Sequence, residues 1–397
     1  MPFAPRMHDP VDNNRPLKIL LTDPHLNGGG QVTYVGNLAR QLTHWGHQVT
    51  IGCRQGSVLV DAARQAGCAV VDAFPFRGGI RPRAWAGDLR LIRRFVEINR
   101  PDILHVNLSQ DHWSGAVANE LMGHSTCLVR TRHNTYPVRD TFANRLLNRR
   151  WTDYQIAVCD VVRRELAAQR TFLADRLCSI QNGIDAERYQ PNAAARESAR
   201  GEFGYGAEDV VVGIAARLVK DKGHEYLFRA VAQLADTMPN LRVLVLGQGP
   251  LRDDLERLTH DLGISDRIIW AGFRNDMSRC VQAFDIGVQP SIGCDTSSLS
   301  LKEEMAAEVP VIASDYGGLV EIVTDGVEGI VVPTATVEPL AAAIQKLAGD
   351  PSLRQRMGGA GRARVLREFT LEIFARRTLD AYRRALEFHR VRANGSL

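Results

Sequence analysis

No run of about eighteen apolar residues occurs in this chain, so no bilayer-spanning helix is expected. The N-terminal stretch MPFAPRMHDPVDNNRPLK lacks the apolar centre of a signal peptide. The seven cysteines (Cys53, Cys68, Cys127, Cys159, Cys178, Cys280 and Cys294) are scattered, without a Cys-x-x-Cys pair or a Cys/His group at zinc spacing. That pattern points away from a disulfide framework and toward free thiols in a reducing cytoplasm. There is no low-complexity tail and no short repeat. Aromatic residues make up only 7% and do not interleave with the basic segments, which leaves single-stranded nucleic acid without a stacking platform. Lysine is nearly missing from the first half, where Lys18 is the sole example up to residue 195. That half is nevertheless basic, with 24 Lys+Arg against 17 Asp+Glu, whereas the rest has 25 against 28. An arginine-borne excess is either a solvated surface or a face that meets something anionic.

What is present is a regular alternation. Short apolar runs stand at 17–22, 48–52, 69–72, 102–106, 127–130, 155–158 and 178–181, and again at 210–215, 242–247, 267–272, 285–290, 310–315 and 329–332. Most show no polar alternation, as expected of parallel strands covered on both faces, and helical patterns separate them. The expected fold is α/β, with two doubly wound Rossmann-like domains facing a cleft. The expected boundaries are an extension at 1–16, a first domain at 17–190, a linker at 191–206, a second domain at 207–370 and a C-terminal helix at 371–397. That last helix is expected to pack back toward the first domain.

Chemistry is sought at strand ends. LLTDPHLNGGGQVTYVGNLARQL (20–42) runs from a strand through three glycines into a helix, which suits an anion at backbone amides. It is not the G-x-G-x-x-G dinucleotide fingerprint. Arg217 and Lys222, five apart after strand 210–215, suit a diphosphate. His133 follows a strand among Arg130, Arg132 and Arg139 and suits a phosphate or a sugar hydroxyl. His105 and Asn107 make a weaker case at another strand end, and Gly247-Gln248-Gly249 is read first as a tight turn. In CDTSSLSLKEEMAAE (294–308) a helix starts near Ser298, capped by Ser297 or Ser298, with Leu299 as a buried position. Its amides would attract phosphate while Glu303 and Asp295 accept from polyols. Glu304 is expected as a helix-surface charge.

These segments, with SIQNGIDAERY, LVLGQGPLRDDLERLTHDLGISDRIIWAGF and VPVIASDYGGLVEIVTDGVEGIVVP, resemble the ordered signature of family 4 glycosyltransferases, retaining nucleotide-sugar enzymes of the GT-B fold. The resemblance covers about residues 17 to 385. It implies that Gly29 and Gly30 face the reaction centre and that His133 lies near the donor sugar. It further implies that Arg217 and Lys222 neutralise the departing diphosphate and that Gly272 and Phe273 lie near the base. Ser297, Ser298 and Leu299 would offer the donor phosphates their amides. Glu303 would bind ribose, and Asp295 the donor-sugar hydroxyls. The chain departs from the family at one point: Asp295-Thr296-Ser297 stands where Glu-Gly-Phe or a close relative is usual. The acid is one methylene shorter, which bears on sugar specificity more than on the reaction.

The expected function is therefore retaining, metal-independent transfer of a sugar to a hydroxyl of a cell-envelope glycolipid, lipopolysaccharide or polysaccharide. The donor expected first is a UDP-sugar, with no cofactor and no nucleic-acid partner. A nucleotide-sugar epimerase and a degenerate nucleotide-sugar-binding protein are the alternatives. Trp85, Leu89, Ile92 and Val96 form one face of a helix flanked by Arg90, Arg93 and Arg94, with Arg77, Arg81 and Arg83 upstream. Such a helix either packs on the first domain or touches anionic lipid at the inner face of the cell membrane. RTRHNTYPVRDTFANRLLNRR (130–150) fits an anionic acceptor.

Overall fold

The computed structural model describes residues 15–77 and 82–393. The 1–16 extension therefore lies almost wholly outside the described residues, as do Arg81 and residues 394–397. All thirteen apolar runs are strands, and every pairing is parallel. In the first sheet these are β1 (Lys18–Asp23), β2 (Gln48–Cys53), β3 (Ala69–Val71), β4 (Ile103–Val106), β5 (Cys127–Arg132), β6 (Tyr154–Ala157) and β7 (Leu177–Ser179). In the second they are β8 (Val210–Ala215), β9 (Leu241–Leu246), β10 (Ile268–Gly272), β11 (Ile286–Gln289), β12 (Val311–Ser314) and β13 (Gly329–Val332). The orders β3-β2-β1-β4-β5-β6-β7 and β10-β9-β8-β11-β12-β13 reverse direction at β1/β4 and at β8/β11. Doubly wound sheets bind ligands at that reversal, outside the carboxyl ends of the strands. Burial on both faces explains the unbroken apolar runs: every residue of β8 is buried, and so are five of six in β1.

Two chain crossings join the domains side by side. Ile184 N donates to Phe369 O (2.9 Å), and Leu371 N donates to Ile184 O (3.0 Å). Gly183 is required there, because a Cβ would lie 2.6 Å from Thr370 O. The final helix, Leu371–Ala393, then lies on the first domain, with Phe374, Tyr382 and Ala385 in one cluster with Ile19, Val35 and Leu38. His389 Nδ1 and Arg392 fasten its end to buried Asp153 (3.1 and 3.3 Å). Residues 191–206, expected as linker, hold the helix Ala193–Glu202. Paired charges bind it to the second domain, with Arg196 and Arg200 both reaching Asp285 (2.6 and 3.0 Å), and buried Ala199 joins Phe203, Val211 and Phe284 in one apolar cluster. On the helix Pro82–Asn99, Ile92 and Val96 enter the first-domain core, which leaves Trp85 and the arginines at the surface.

Candidate active site in the interdomain cleft

On the first-domain wall, the end of β1 folds the loop after it. Asp23 accepts from His25 N (2.7 Å) and from Gln31 Nε2 (2.6 Å). Gly28 and Gly29 are left facing open space, where an added Cβ would meet nothing within 4 Å. A Cβ on Gly30, the first residue of the helix Gly30–His44, would sit 3.9 Å from Leu299 Cδ1 of the other domain. The glycine loop therefore opens onto the cleft beside the start of the helix Leu299–Ala306.

His133 follows β5, edge-on to the Tyr34 ring with centroids 4.7 Å apart. Its Nε2 is 2.9 Å from Asn107 Oδ1, and Asn107 Nδ2 donates to Thr22 O (2.8 Å). That carbonyl can take only the Nδ2 end of the amide, so Oδ1 faces the imidazole and Nε2 must carry the proton. Nδ1 is then the acceptor of the ring. Burial holds His133 well below its ordinary pKa, with His105, Arg130 and His25 adding to the effect, so the ring is neutral. Asp111 braces Asn107 from behind, accepting from its backbone N (2.8 Å) and from Thr22 Oγ1 (2.7 Å).

Two expectations for this wall change. His105 is fully buried, bridging Tyr382 OH (2.6 Å) and Thr131 Oγ1 (2.7 Å), and burial lowers its pKa to about 3. It holds the final helix rather than facing a ligand. Arg130 is also internal, reaching Leu108 O (3.1 Å) and His112 Nδ1 (2.6 Å), while Arg132 donates to Tyr136 O. Part of the cationic loop is thus spent on its own fold.

On the second-domain wall, Arg217 is exposed just after β8, and among the described residues no side chain pairs with it. Lys222 sits in a single 3-10 turn ending at Gly223, whose φ is 67°. A Cβ on Gly223 would fall 1.9 Å from Pro290 O, so this glycine lets the turn lie on the end of β11. Lys222 Nζ thereby reaches Asp295 Oδ2 at 2.7 Å. The same oxygen accepts from Ser291 Oγ (2.7 Å) and Gln289 Nε2 (3.1 Å). The shorter acid is therefore fully engaged through one oxygen. Its loop is seated on Gly317-Gly318, where Cβ atoms would lie 2.4 Å from Asp295 O and 1.8 Å from Thr296 O. Gly247 and Gly249 likewise press their backbones on Ala216 O and Leu218 O, which supports the Arg217 loop. Gly272, at φ 68°, ends β10 beside exposed Phe273.

Ser298 caps the helix Leu299–Ala306, accepting from Leu301 N (3.3 Å), whereas Ser297 turns toward the first domain. Ser297 Oγ donates to Gln181 Oε1 (2.7 Å) and accepts from Asn182 N (3.0 Å). Thr296 Oγ1 donates to His133 O (3.0 Å). Glu321 reaches across to accept from Asp160 N and Val161 N, both at 2.8 Å, at the start of the helix Asp160–Ala167. Glu303 faces the Tyr189 hydroxyl, and burial raises it to about 7 against Tyr189 and Arg188. Glu304 is not a surface charge. It is fully buried, neither carboxyl oxygen has a partner among the described residues, and burial holds it well above the usual carboxyl range. Space for it comes from Gly287, where a Cβ would be 2.2 Å from Glu304 Oε2.

Arg217 and Lys222 on one wall thus stand opposite neutral His133 and open glycine amides on the other. Two doubly wound domains closing on such a cleft form the GT-B architecture. A family model described as Glycosyltransferase Family 4 matches residues 28–188, and one described as Glycosyl transferases group 1 matches residues 195–364. The chain belongs to the family 4 glycosyltransferases. It is similar to the GDP-mannose-dependent alpha-(1-6)-phosphatidylinositol monomannoside mannosyltransferase of Mycolicibacterium smegmatis, at 33% identity over 45% of this chain and 49% of the relative. The chain spans about half the length of the first curated relatives it matches. Among solved structures, a glycosyltransferase from Rickettsia africae superposes with a TM-score of 0.84 at 21% identity, covering 94% of this chain and 99% of its own. The Anabaena protein Alr3699/HepE, solved in complex with UDP, gives a TM-score of 0.80 at 21% identity, covering 92% and 99%.

Proposed function

We propose that the protein moves a sugar from a nucleotide-sugar donor to a hydroxyl of a cell-envelope glycolipid, lipopolysaccharide or polysaccharide, with retention at the anomeric carbon. The observation that carries this is the Lys222–Asp295 pair, beside Arg217 at the carboxyl ends of β8 and β11 and across from His133. As the donor C1–O bond breaks, negative charge gathers on the diphosphate. Arg217, Lys222 and the amides after Ser298 stabilise it, which is electrostatic preorganisation and asks for no metal. Asp295 keeps Oδ1 for a sugar hydroxyl while Oδ2 stays with its three donors. His133 Nδ1 accepts from another. The acceptor enters on the face the diphosphate leaves, so no enzymic nucleophile is assigned. Glu303 takes the ribose, exchanging its Tyr189 contact for the donor hydroxyls.

The Mycolicibacterium relative is named for GDP-mannose and the Anabaena structure holds UDP, so both nucleotides enter the test. A lipid-linked acceptor accords with that relative and with the exposed arginines of the helix Pro82–Asn99. No described helix is long and apolar enough to cross a membrane, so contact with lipid would be peripheral. Thermal unfolding with UDP-glucose, GDP-mannose, UDP and GDP tests donor binding, since a ligand of the native state raises Tm. A shift with at least one nucleotide sugar is expected, and none with any of the four would refute the reading.

A further inference from the structure

Both chain crossings between the domains come together around one buried ammonium. Lys302, on the second turn of the helix Leu299–Ala306, has no solvent exposure. Its Nζ lies 2.8 Å from Asn182 O, 3.0 Å from Gln181 Oε1 and 2.8 Å from Ser297 Oγ. Gln181 and Asn182 lead into the first crossing. Phe369, whose ring centroid is 4.8 Å from Nζ, ends at the second.

An ammonium has three donors and no acceptor, so three oxygens match it fully. Lysine is almost never buried unless its charge is matched in this way, and an apolar side chain could fill the space without giving up hydration. What the charge adds is direction. Ser297 Oγ spends its single proton on Gln181 and receives from Asn182 N and Lys302, so its orientation is set by atoms on both sides of the cleft. Ser297 stands between Asp295 and the cap Ser298, and Gln181 Nε2 also donates to Glu321 (3.1 Å), which itself spans the cleft.

We propose that Lys302 is a positioning residue for the donor site: it fastens the Asp295–Ser298 loop to the interdomain crossings, so that the loop holds its donor-binding shape only when the cleft is closed. This rests on the donor site described under the proposed function.

Asp295 from the loop, Glu321 from the turn Leu319–Glu321 and Cys159 from the start of the helix Asp160–Ala167 face the ammonium, and Arg364 lies over the same Phe369 ring. Burial lowers Lys302 to about 7 against the attraction of those three groups. Below that pH the ammonium serves three acceptors. Above it the amine has two donors, and one acceptor is left unmatched. Donor affinity should therefore fall as pH rises through about 7, by roughly tenfold or more between pH 6.5 and 8.5 if the ammonium is required.

The test is calorimetric titration of UDP-glucose and of GDP-mannose into the full chain and into Lys302→Met, Lys302→Arg and Ser297→Ala, at pH 6.5 and 8.5, with melting curves to establish folding. For whichever donor binds the unaltered chain, Lys302→Met should bind at least about tenfold more weakly, with affinity no longer falling with pH. Lys302→Arg should lose the fall with pH that Lys302 imposes, because its charge persists, leaving only the pH dependence that Glu303, raised to about 7, brings to the ribose contact. Ser297→Ala, which removes one acceptor and little volume, should also weaken binding and blunt the pH slope, and it carries the test if Lys302→Met does not fold. Unchanged donor affinity in folded Lys302→Met or in Ser297→Ala, or an undiminished pH slope in either, would overturn the positioning role while leaving the donor site standing. Failure of the unaltered chain to bind either nucleotide sugar would overturn the donor site and this inference with it.

Discussion

Replacing Lys222 by alanine does two separable things. It removes a cation from the diphosphate, and it leaves the Asp295 carboxylate, 5% exposed, without the ion partner it has at 2.7 Å. Losing one preorganised donor to developing negative charge costs about 10²- to 10³-fold in turnover. Breaking a buried ion pair costs about 3–5 kcal/mol. Lys222 is 17% exposed and Asp295 keeps Ser291 and Gln289, so roughly 1–3 kcal/mol of stability is expected to go. The double variant Lys222→Ala/Asp295→Asn removes the stranded charge. It should recover most of the stability and none of the turnover. Chemical denaturation gives the first quantity, and release of nucleoside diphosphate with the best donor and acceptor gives the second. Near-normal turnover in Lys222→Ala would refute the leaving-group role. A double variant no more stable than the single would refute the claim that Lys222 balances Asp295.

Four further perturbations follow from the packing. Gly287→Ala should cost about 1–3 kcal/mol because its Cβ overlaps Glu304, and adding Glu304→Ala should restore much of that in denaturant unfolding. Glu304 has a raised pKa in the fold, so folding retains a proton that the unfolded chain loses above about 4.5. Its stabilising share is whole below that pH and declines as pH rises, by about 1.4 kcal/mol per unit. Glu304→Gln should flatten that decline in stability measured between pH 5 and 8. Asn107→Leu should raise the donor KM by roughly three- to tenfold, since it frees the His133 tautomer whose Nδ1 accepts a donor-sugar hydroxyl, without touching Arg217 or Lys222. Glu321→Ala should open the cleft, seen as a larger radius of gyration in solution scattering, because two amides of the first domain lose their acceptor.

The strands were legible because burial on both faces writes itself as unbroken apolar runs, and all thirteen are present. Strand-end residues such as His133, Arg217 and Lys222 were legible for the same reason: once the strands are placed, the carboxyl ends follow. Pairing was not. Lys222 meets Asp295 across 73 positions, through a turn that depends on Gly223 lying on Pro290. Glu304 and Lys302 sit in a run, SLKEEMAAE, whose charges resemble a solvated helix face. Whether such a face is covered depends on Gly287 for one residue and on two chain crossings for the other, and neither lies nearby in sequence. His105 was misjudged because a strand-end imidazole resembles a ligand until the final helix brings Tyr382 onto it. The helix at 193–202 was missed because its buried side chain, Ala199, is small and arginine–aspartate pairs supply much of its hold, so no apolar periodicity marks it.

Retaining transfer from a nucleotide sugar leaves its mark on the stereochemistry of the product. Proton NMR of a reaction run with the best-binding donor across glycolipid and saccharide acceptors reads that stereochemistry. A new glycoside whose anomeric coupling matches that of the donor is expected, formed together with free nucleoside diphosphate. An inverted linkage, or a donor epimerised without any acceptor, would contradict it.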